Sequence, residues 1–337
     1  MHRKAKILAL IILGLAAVLG VAITATIGWR PFIGPKARAL TGRRFESTPE
    51  RLARGQYLAE NLLLCFDCHG QHDWSKHDAP LIAGTKGAGV DPFPLQGLPG
   101  KVVPRNITPD RETGAGTWTD DMLARAIREG IGHDGRALFF MPYPYFRHLS
   151  DEDLASVIVY VRSLEPVRNP LPPSEIDFPV KYLMRSGPEP IDAPVPAPNL
   201  TTQVSRGKYL VSISPCADCH TPLAKGQPNA ALPFAGGFPL NGPWGNLASA
   251  NITSDPSGIP YYDEALFVSA MRTGYVKARK LTQIMPWHVF RNLSDEDLKA
   301  IFAFVKTLPP VKHRVDNAEP PTLCKICGYS HGAGDKN

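Results

Sequence analysis

Cys65-Phe66-Asp67-Cys68-His69 and Cys216-Ala217-Asp218-Cys219-His220 are two copies of one five-residue pattern, and each sits inside a longer repeat. Arg54-Gly55-Gln56-Tyr57-Leu58 precedes the first copy and Arg206-Gly207-Lys208-Tyr209-Leu210 the second. Downstream, Phe93-Pro94-Leu95 corresponds to Phe238-Pro239-Leu240, and Asn106-Ile107-Thr108 to Asn251-Ile252-Thr253. Arg128-Glu129-Gly130 corresponds to Arg272-Thr273-Gly274, and Met141-Pro142-Tyr143 to Met285-Pro286-Trp287. Leu149-Ser150-Asp151-Glu152-Asp153-Leu154 returns as Leu293-Ser294-Asp295-Glu296-Asp297-Leu298. All seven pairs keep their order, and their offset stays between 144 and 152 residues. Collinear matches at a near-constant period mark a duplicated structural unit. Two homologous domains in tandem are therefore expected, at 48–168 and 204–312.

Each copy reads as helices separated by long loops, with no convincing alternating strand. Gly55 to Leu64 forms an opening helix that runs into the Cys motif. Asp120 to Glu129 and Asp263 to Arg272 form middle helices. Ser150 and Ser294 look like N-caps, each followed three residues on by an Asp in the manner of a capping box. The helix after Ser150 carries Leu154, Val157, Ile158, Val161 and Leu164 on one face. The helix after Ser294 carries Leu298, Ile301, Phe302, Val305 and Leu308 at the same helical spacing. Between the copies, 169–203 is dense in proline, which forbids a long helix and favours a semi-rigid extended strap. Phe178, Tyr182, Leu183 and Met184 are apolar enough to pack that strap onto a domain.

Cys-x-x-Cys-His is the attachment signature of c-type haem. Two thiols three residues apart on a tight turn reach the two vinyl groups of one porphyrin, and the following His aims its imidazole at the iron from the same side. A Cys-x-x-Cys can also be a redox disulfide or half of a zinc site. Two copies within one larger repeat favour haem, and predict two covalently bound haem c groups at Cys65, Cys68 and His69 and at Cys216, Cys219 and His220. Met141 and Met285 occupy matching Met-Pro-aromatic settings and are the candidate sixth ligands. A thioether opposite His raises the reduction potential. Met122, Met184 and Met271 have no such paired setting and read as packing residues. His72, His77, His133, His148, His288 and His313 have no His counterpart in the other copy and read as surface or loop residues. The carbonyls of Pro80 and Pro233 are expected to accept the proximal imidazole N–H. Arg105, Asn106 and Asn251 are candidates to bind haem propionates. Trp118 and Tyr262 read as core aromatics. Cys324 and Cys327 form a third Cys-x-x-Cys, but Gly328 stands where His is required. A local disulfide is expected there outside the cytoplasm; a metal site would want two further ligands, and only His313 and His331 are near in sequence.

The chain has 337 residues, 43% hydrophobic, with 34 Pro and 29 Gly and a formal charge of +6. That composition excludes a disordered chain and suits two loop-rich domains. The basic balance allows an acidic partner or a membrane surface, but no basic run interleaved with aromatics suggests nucleic acid. His2, Arg3, Lys4 and Lys6 precede an uncharged stretch of 22 residues from Ile7 to Gly28. Such a stretch is long enough to span a bilayer, and its cleavage-site signal is poor. Residues 1–30 are expected to be an uncleaved anchor, and 313–337 a C-terminal tail.

Arg-Gly-x-Tyr-Leu ahead of the Cys motif, Asn-Ile-Thr-Pro-Asp at 106–110, Met-Pro-Tyr at 141–143 and Leu-Ser-Asp-Glu-Asp-Leu together resemble one known group. It is the membrane-bound cytochrome c subunit of bacterial alcohol, aldehyde and gluconate dehydrogenases. The resemblance covers roughly Arg54 to Leu308. It implies a mostly α fold: two tandem class I-like cytochrome c domains behind an N-terminal transmembrane helix. It implies His/Met ligation by His69 with Met141 and by His220 with Met285. It implies an electron-transfer subunit without a catalytic residue of its own. A dehydrogenase subunit would be the donor, and a soluble cytochrome, a quinone or a terminal oxidase in the respiratory chain the acceptor. Because c-type haem is attached outside the bacterial inner membrane, it places the haem domains in the periplasm on a single-pass anchor. The alcohol-dehydrogenase type has three Cys-x-x-Cys-His motifs where this chain has two. A dihaem enzyme such as a peroxidase, with one open iron, is the alternative.

Overall fold

The computed structural model describes residues 2–224 and 226–337; Met1, the first residue of the expected anchor, lies outside the described residues. An isolated apolar helix, His2–Thr26, opens the chain. Nearly all side chains of Arg3–Thr26 are exposed, and by length and composition this stretch can cross a membrane. After it come two sets of helices in matching order. The first is Pro49–Asn61, the single turn Cys65–Cys68, Asp120–Glu129, Tyr143–Phe146 and Asp151–Arg162. The second is Gln203–Ile213, Cys216–His220, Glu264–Thr273, Trp287–Phe290 and Asp295–Val305. Strands among the described residues are five short antiparallel pairs, none longer than four residues a side.

Local chemistry sets most boundaries. The opening helix begins at Pro49, earlier than the Gly55 expected from sequence. Thr48 caps it by accepting from the Arg51 amide, and Pro at the first position needs no hydrogen bond there. The chain turns out of that helix at Leu64, whose φ of 56° is left-handed, and enters the Cys65 turn. The middle helix Asp120–Glu129 is capped by Thr119 and ends on Gly130 at φ 67°. Its counterpart is capped by Asp263 and ends on Gly274 at φ 72°. Gly130 and Gly274 also lie against the rings of Tyr143 and Trp287, where a Cβ would collide. That contact links the Arg-x-Gly segment to the Met-Pro-aromatic segment in both halves.

The opening and closing helices of each half cross at glycine. A Cβ on Gly55 would strike the Ser156 carbonyl, and one on Gly207 the Ala300 carbonyl. Arg54 then reaches Asp153 at 2.8 Å, and Arg206 reaches Asp297 at 2.5 Å. Leu58, Leu154 and Ile158 in the first half and Leu210, Leu298 and Phe302 in the second belong to one continuous buried core.

Ser150 and Ser294 are the expected N-caps, each accepting at 3.1 Å from the amide of the Asp three residues on. The return bond of a capping box is not made by that Asp, which pairs with arginine instead. A tyrosine from the other half replaces it. Tyr209 Oη accepts from the Ser150 amide (3.2 Å) and donates to Asp153 (2.6 Å). Tyr57 Oη accepts from the Ser294 amide (3.0 Å) and donates to Asp297 (2.5 Å). The Tyr of each Arg-Gly-x-Tyr-Leu therefore closes the helix cap of the opposite copy, and the two halves are joined twice by the same device.

The proline-rich strap does not bury its apolar residues. Phe178, Tyr182 and Leu183 remain exposed. The strap is instead pinned by polar contacts: Glu175–Ile176 pairs with Gly100–Lys101, Ser174 Oγ accepts from the Val103 amide, and Asn169 Nδ2 donates to the Ala88 carbonyl. Its Arg185 donates to the Pro31 carbonyl, next to the apolar helix. Residues 38–45 are tied down as well. Arg38 pairs with buried Asp121 and Glu129, and the Thr41 and Phe45 amides donate to Asp121 and Asp120.

Burial first, and Asp153 second, push the Tyr209 phenol up from 10.0 to about 12. Folding thus favours the neutral phenol. Its contribution is complete below pH 10 and is lost as pH rises toward 12, where the unfolded chain has already released the proton. Tyr209→Phe removes a hydrogen bond to a charged group and is expected to lower the unfolding free energy by about 1.5–3 kcal/mol at neutral pH. It should also flatten the fall in stability between pH 10 and 12. Denaturant melts of both proteins across that range check this, and an unchanged slope in the variant refutes it.

Candidate functional site

The two Cys-x-x-Cys-His turns sit where each opening helix ends. All four cysteines of these turns are half-buried. Desolvation drives all four thiols upward, Cys65 and Cys219 to about 12. Both motif histidines are oriented alike. His69 Nδ1 donates to the Arg105 carbonyl at 2.7 Å, and His220 Nδ1 to the Ala250 carbonyl at 2.8 Å. Each Nε2 then faces away from its anchor as the neutral, metal-ready nitrogen. Burial lowers the basicity of both rings, which keeps them unprotonated.

The acceptors correct the expectation for Pro80 and Pro233. The Pro80 carbonyl accepts from the Asp73 amide instead. The carbonyls used are those just before Asn106 and Asn251. Those asparagines are not propionate ligands, because they are buried and their side chains are spent internally. Asn106 Oδ1 accepts from the Thr108 amide and hydroxyl, and its Nδ2 donates to the Val167 carbonyl at 2.7 Å. Asn251 does the same with Thr253 and donates to the Val311 carbonyl at 2.8 Å. Asn-x-Thr is thus a turn that fixes the histidine's acceptor and clamps the chain leaving the last helix. Arg105 donates to the Pro172 carbonyl at 3.4 Å.

Met141 and Met285 are half-buried against the main core. Each is followed by a proline of nearly identical geometry, Pro142 at φ −79°, ψ 45° and Pro286 at φ −77°, ψ 50°. Met271 is buried in the core, and Met122 Sδ accepts from the Thr119 amide. Tyr262 is a core residue, and Trp118 stacks on His133 at 4.4 Å.

The two motifs meet across the junction between the halves. Asp67, inside the first, lies 3.5 Å from His288 of the second half. Asp218, inside the second, lies 3.5 Å from the Tyr145 hydroxyl of the first half. Cys219 and Asp218 are close enough to Cys68 to add, after burial and its own neighbours, to the rise of its thiol. A cleft of about 530 Å³ opens beside the first motif, lined by Leu64, Asp67, His72 and His288 among others. His72 and His288 are therefore not surface residues; both rings are nearly buried.

Comparison with known proteins identifies the second of these motifs as part of a known family. Residues 204–309 match the family model for cytochrome c. This stretch is a cytochrome c domain. Such a domain carries covalent haem c, and the free thiols of Cys216 and Cys219 and the oriented His220 imidazole fit that group. The chain is homologous to cytochrome c subunits of dehydrogenases. It is 37% identical over 275 residues to the fructose dehydrogenase cytochrome subunit of Gluconobacter japonicus, covering 77% of this chain and 52% of that one. It is 29% identical over 294 residues to the alcohol dehydrogenase (quinone) cytochrome c subunit of Gluconacetobacter polyoxogenes, covering 81% and 60%. A "diheme cytochrome c-type" protein of Cereibacter sphaeroides is 28% identical over 259 residues, covering 74% and 83%. The chain thus spans little more than half the length of the two dehydrogenase subunits.

The third Cys-x-x-Cys differs from both Cys-x-x-Cys-His motifs and from the expected disulfide. Cys324 and Cys327 are buried and unpaired with each other. His313, expected at the surface, is wholly buried beside them.

Asn251→Ala would leave the Val311 and Ser257 partners unsatisfied and remove the turn that holds Ala250. A loss of about 2–3 kcal/mol in stability is expected, with haem content unchanged. Thermal melts and a pyridine-haemochrome assay check this; a wild-type melting temperature would show that the turn does not hold the loop.

Proposed function

We propose that the chain is a dihaem electron-transfer cytochrome c whose two domains, 48–168 and 204–312, each hold one haem. Cys65 and Cys68 would attach the first, with His69 and Met141 as axial ligands. Cys216 and Cys219 would attach the second, with His220 and Met285. The observation that carries this reading is the meeting of the two motifs at one junction, with Asp67 and Asp218 each turned toward the opposite half. Haem supplies the one-electron chemistry; the protein sets its position and potential. The shared core and the paired Tyr–Asp caps keep the two attachment turns at a fixed separation. Two thioether ligands would leave neither iron a position for substrate, which separates this reading from a dihaem peroxidase.

The homologues point to a dehydrogenase subunit as donor. The acceptor would be a soluble cytochrome, a quinone or a terminal oxidase. His2–Thr26 would anchor the chain in the inner membrane, with the haem domains in the periplasm. The surroundings of that helix favour an anchor. Trp29, Phe32 and Ile33 follow it, the strap's Phe178 and Leu183 are exposed nearby on the segment held by Arg185, and Lys181 and Arg185 flank them. Aromatic and basic residues of this kind settle at the headgroup level.

The oxidised protein should show Met–iron charge-transfer absorption equivalent to two haems. Met141→Ala and Met285→Ala should each abolish half of it and lower the midpoint potential of one haem in a redox titration. Absorption for a single Met-ligated haem in the wild type would favour the enzyme reading. Unmoved potentials in both variants would overturn the ligand assignment.

A further inference from the structure

Four side chains outside the haem motifs converge at the C-terminal tail: His313, Cys324, Cys327 and His331. Their ligand atoms all lie within 4.8 Å of one another, and all four residues are buried. His313 Nε2 is 3.4 Å from Cys324 Sγ. In a tetrahedral zinc site with bonds of about 2.0–2.3 Å, ligand atoms stand roughly 3.3–3.8 Å apart. The cluster is therefore near that geometry without rearrangement of the backbone.

Each histidine presents the correct nitrogen. His313 Nδ1 donates to the Ala235 carbonyl at 2.9 Å, which fixes the tautomer and turns the Nε2 lone pair toward Cys324. His331 Nδ1 is 3.0 Å from the Gly332 carbonyl, while its Nε2 is buried without any partner. A buried polar nitrogen left unpaired costs stability unless something fills the site. Cys324 and Cys327 are presented by a tight turn closed by the Gly328 amide on the Cys324 carbonyl (2.9 Å), with Gly328 at φ 80°. His331 follows on the strand Ser330–Gly332, which pairs with Pro321–Leu323. Gly237, at φ 87°, leaves room for the His313 ring that a Cβ would fill.

We propose that His313, Cys324, Cys327 and His331 form a closed Cys₂His₂ site for one structural zinc ion. Two thiolates and two imidazoles suit a borderline-soft divalent cation, and four protein ligands with no open position mark a structural rather than a catalytic site. The need for it is visible in the packing. The tail's own apolar cluster consists of Leu232, Ala235, Cys324 and Cys327, with Val311 and Tyr329 beside it. So small a core does not hold a 25-residue tail without a crosslink or metal. The ion would crosslink the tail to itself, and His313 would carry that crosslink to the Leu232–Asn251 segment through the Ala235 carbonyl and through Asn251 Nδ2, which donates to the His313 carbonyl at 3.1 Å; in that segment the Ala250 carbonyl orients His220. The ion would also withhold both thiols from oxidation.

The test is elemental analysis and zinc-edge X-ray absorption on the full chain, purified with its haems in mild detergent. The expected result is one zinc per chain with two sulfur and two nitrogen scatterers, and loss of that zinc in His331→Ala and in Cys327→Ser at unchanged haem content. Should those variants fail to accumulate, the absorption spectrum of the wild type decides alone. A sulfur-free zinc shell, zinc-free protein from zinc-supplemented cells, or a Cys324–Cys327 disulfide in the non-reduced peptide map would each overturn the proposal.

Discussion

The interaction on which the rest depends is the tyrosine that closes the other half's helix cap. Tyr209 spans Ser150 and Asp153, and Tyr57 spans Ser294 and Asp297. Each phenol satisfies an N-terminal amide that a helix cannot satisfy itself and shares its proton with a carboxylate already held by arginine. The arrangement is charged and directional, and fully buried at Tyr209, so it fixes orientation in a way apolar contact alone does not. Because both tyrosines belong to the helices that lead into Cys-x-x-Cys-His, the joint that orders the two halves also brings the two motifs to one junction.

Much of this was legible in the sequence because local chemistry repeats. The seven paired segments announced two copies, the Ser-Asp-Glu-Asp runs announced caps, and the middle helices began and ended within a residue of where their periodicity placed them. The misses have separate physical causes. A capping box assumes that the third residue bonds back to its own cap, but Asp153 and Asp297 are claimed by arginines on another helix. The acceptor of the histidine N–H was sought just after the motif, at Pro80 and Pro233. It comes from residues 36 and 30 positions downstream, brought in by the Asn-x-Thr turn. Phe178 and Leu183 look like core residues by composition, yet they face outward beside the apolar helix. His313 has no counterpart in the first copy, and comparing copies discards whatever only one of them has.

That last point bears on how the two halves end. In both, an asparagine clamps the chain as it leaves the last helix, at the Val167 carbonyl in the first half and the Val311 carbonyl in the second. Beyond the clamp the paths diverge. After Val167 the chain enters the strap, where proline restricts the unfolded ensemble and Ser174, Asn169 and the Gly100–Ile176 ladder pin it across the first half. After Val311 the chain runs into the tail, which has no comparable proline content and only a satellite core. The same geometric problem, keeping the loop that carries the histidine's acceptor carbonyl from swinging free, is met in the first half by a stiff strap. In the second half the groups at the equivalent place are two thiols and two imidazoles. Two matching sets of helices whose exit segments are held differently call for two kinds of fastener, and the side chains gathered at the tail have the chemistry of the second.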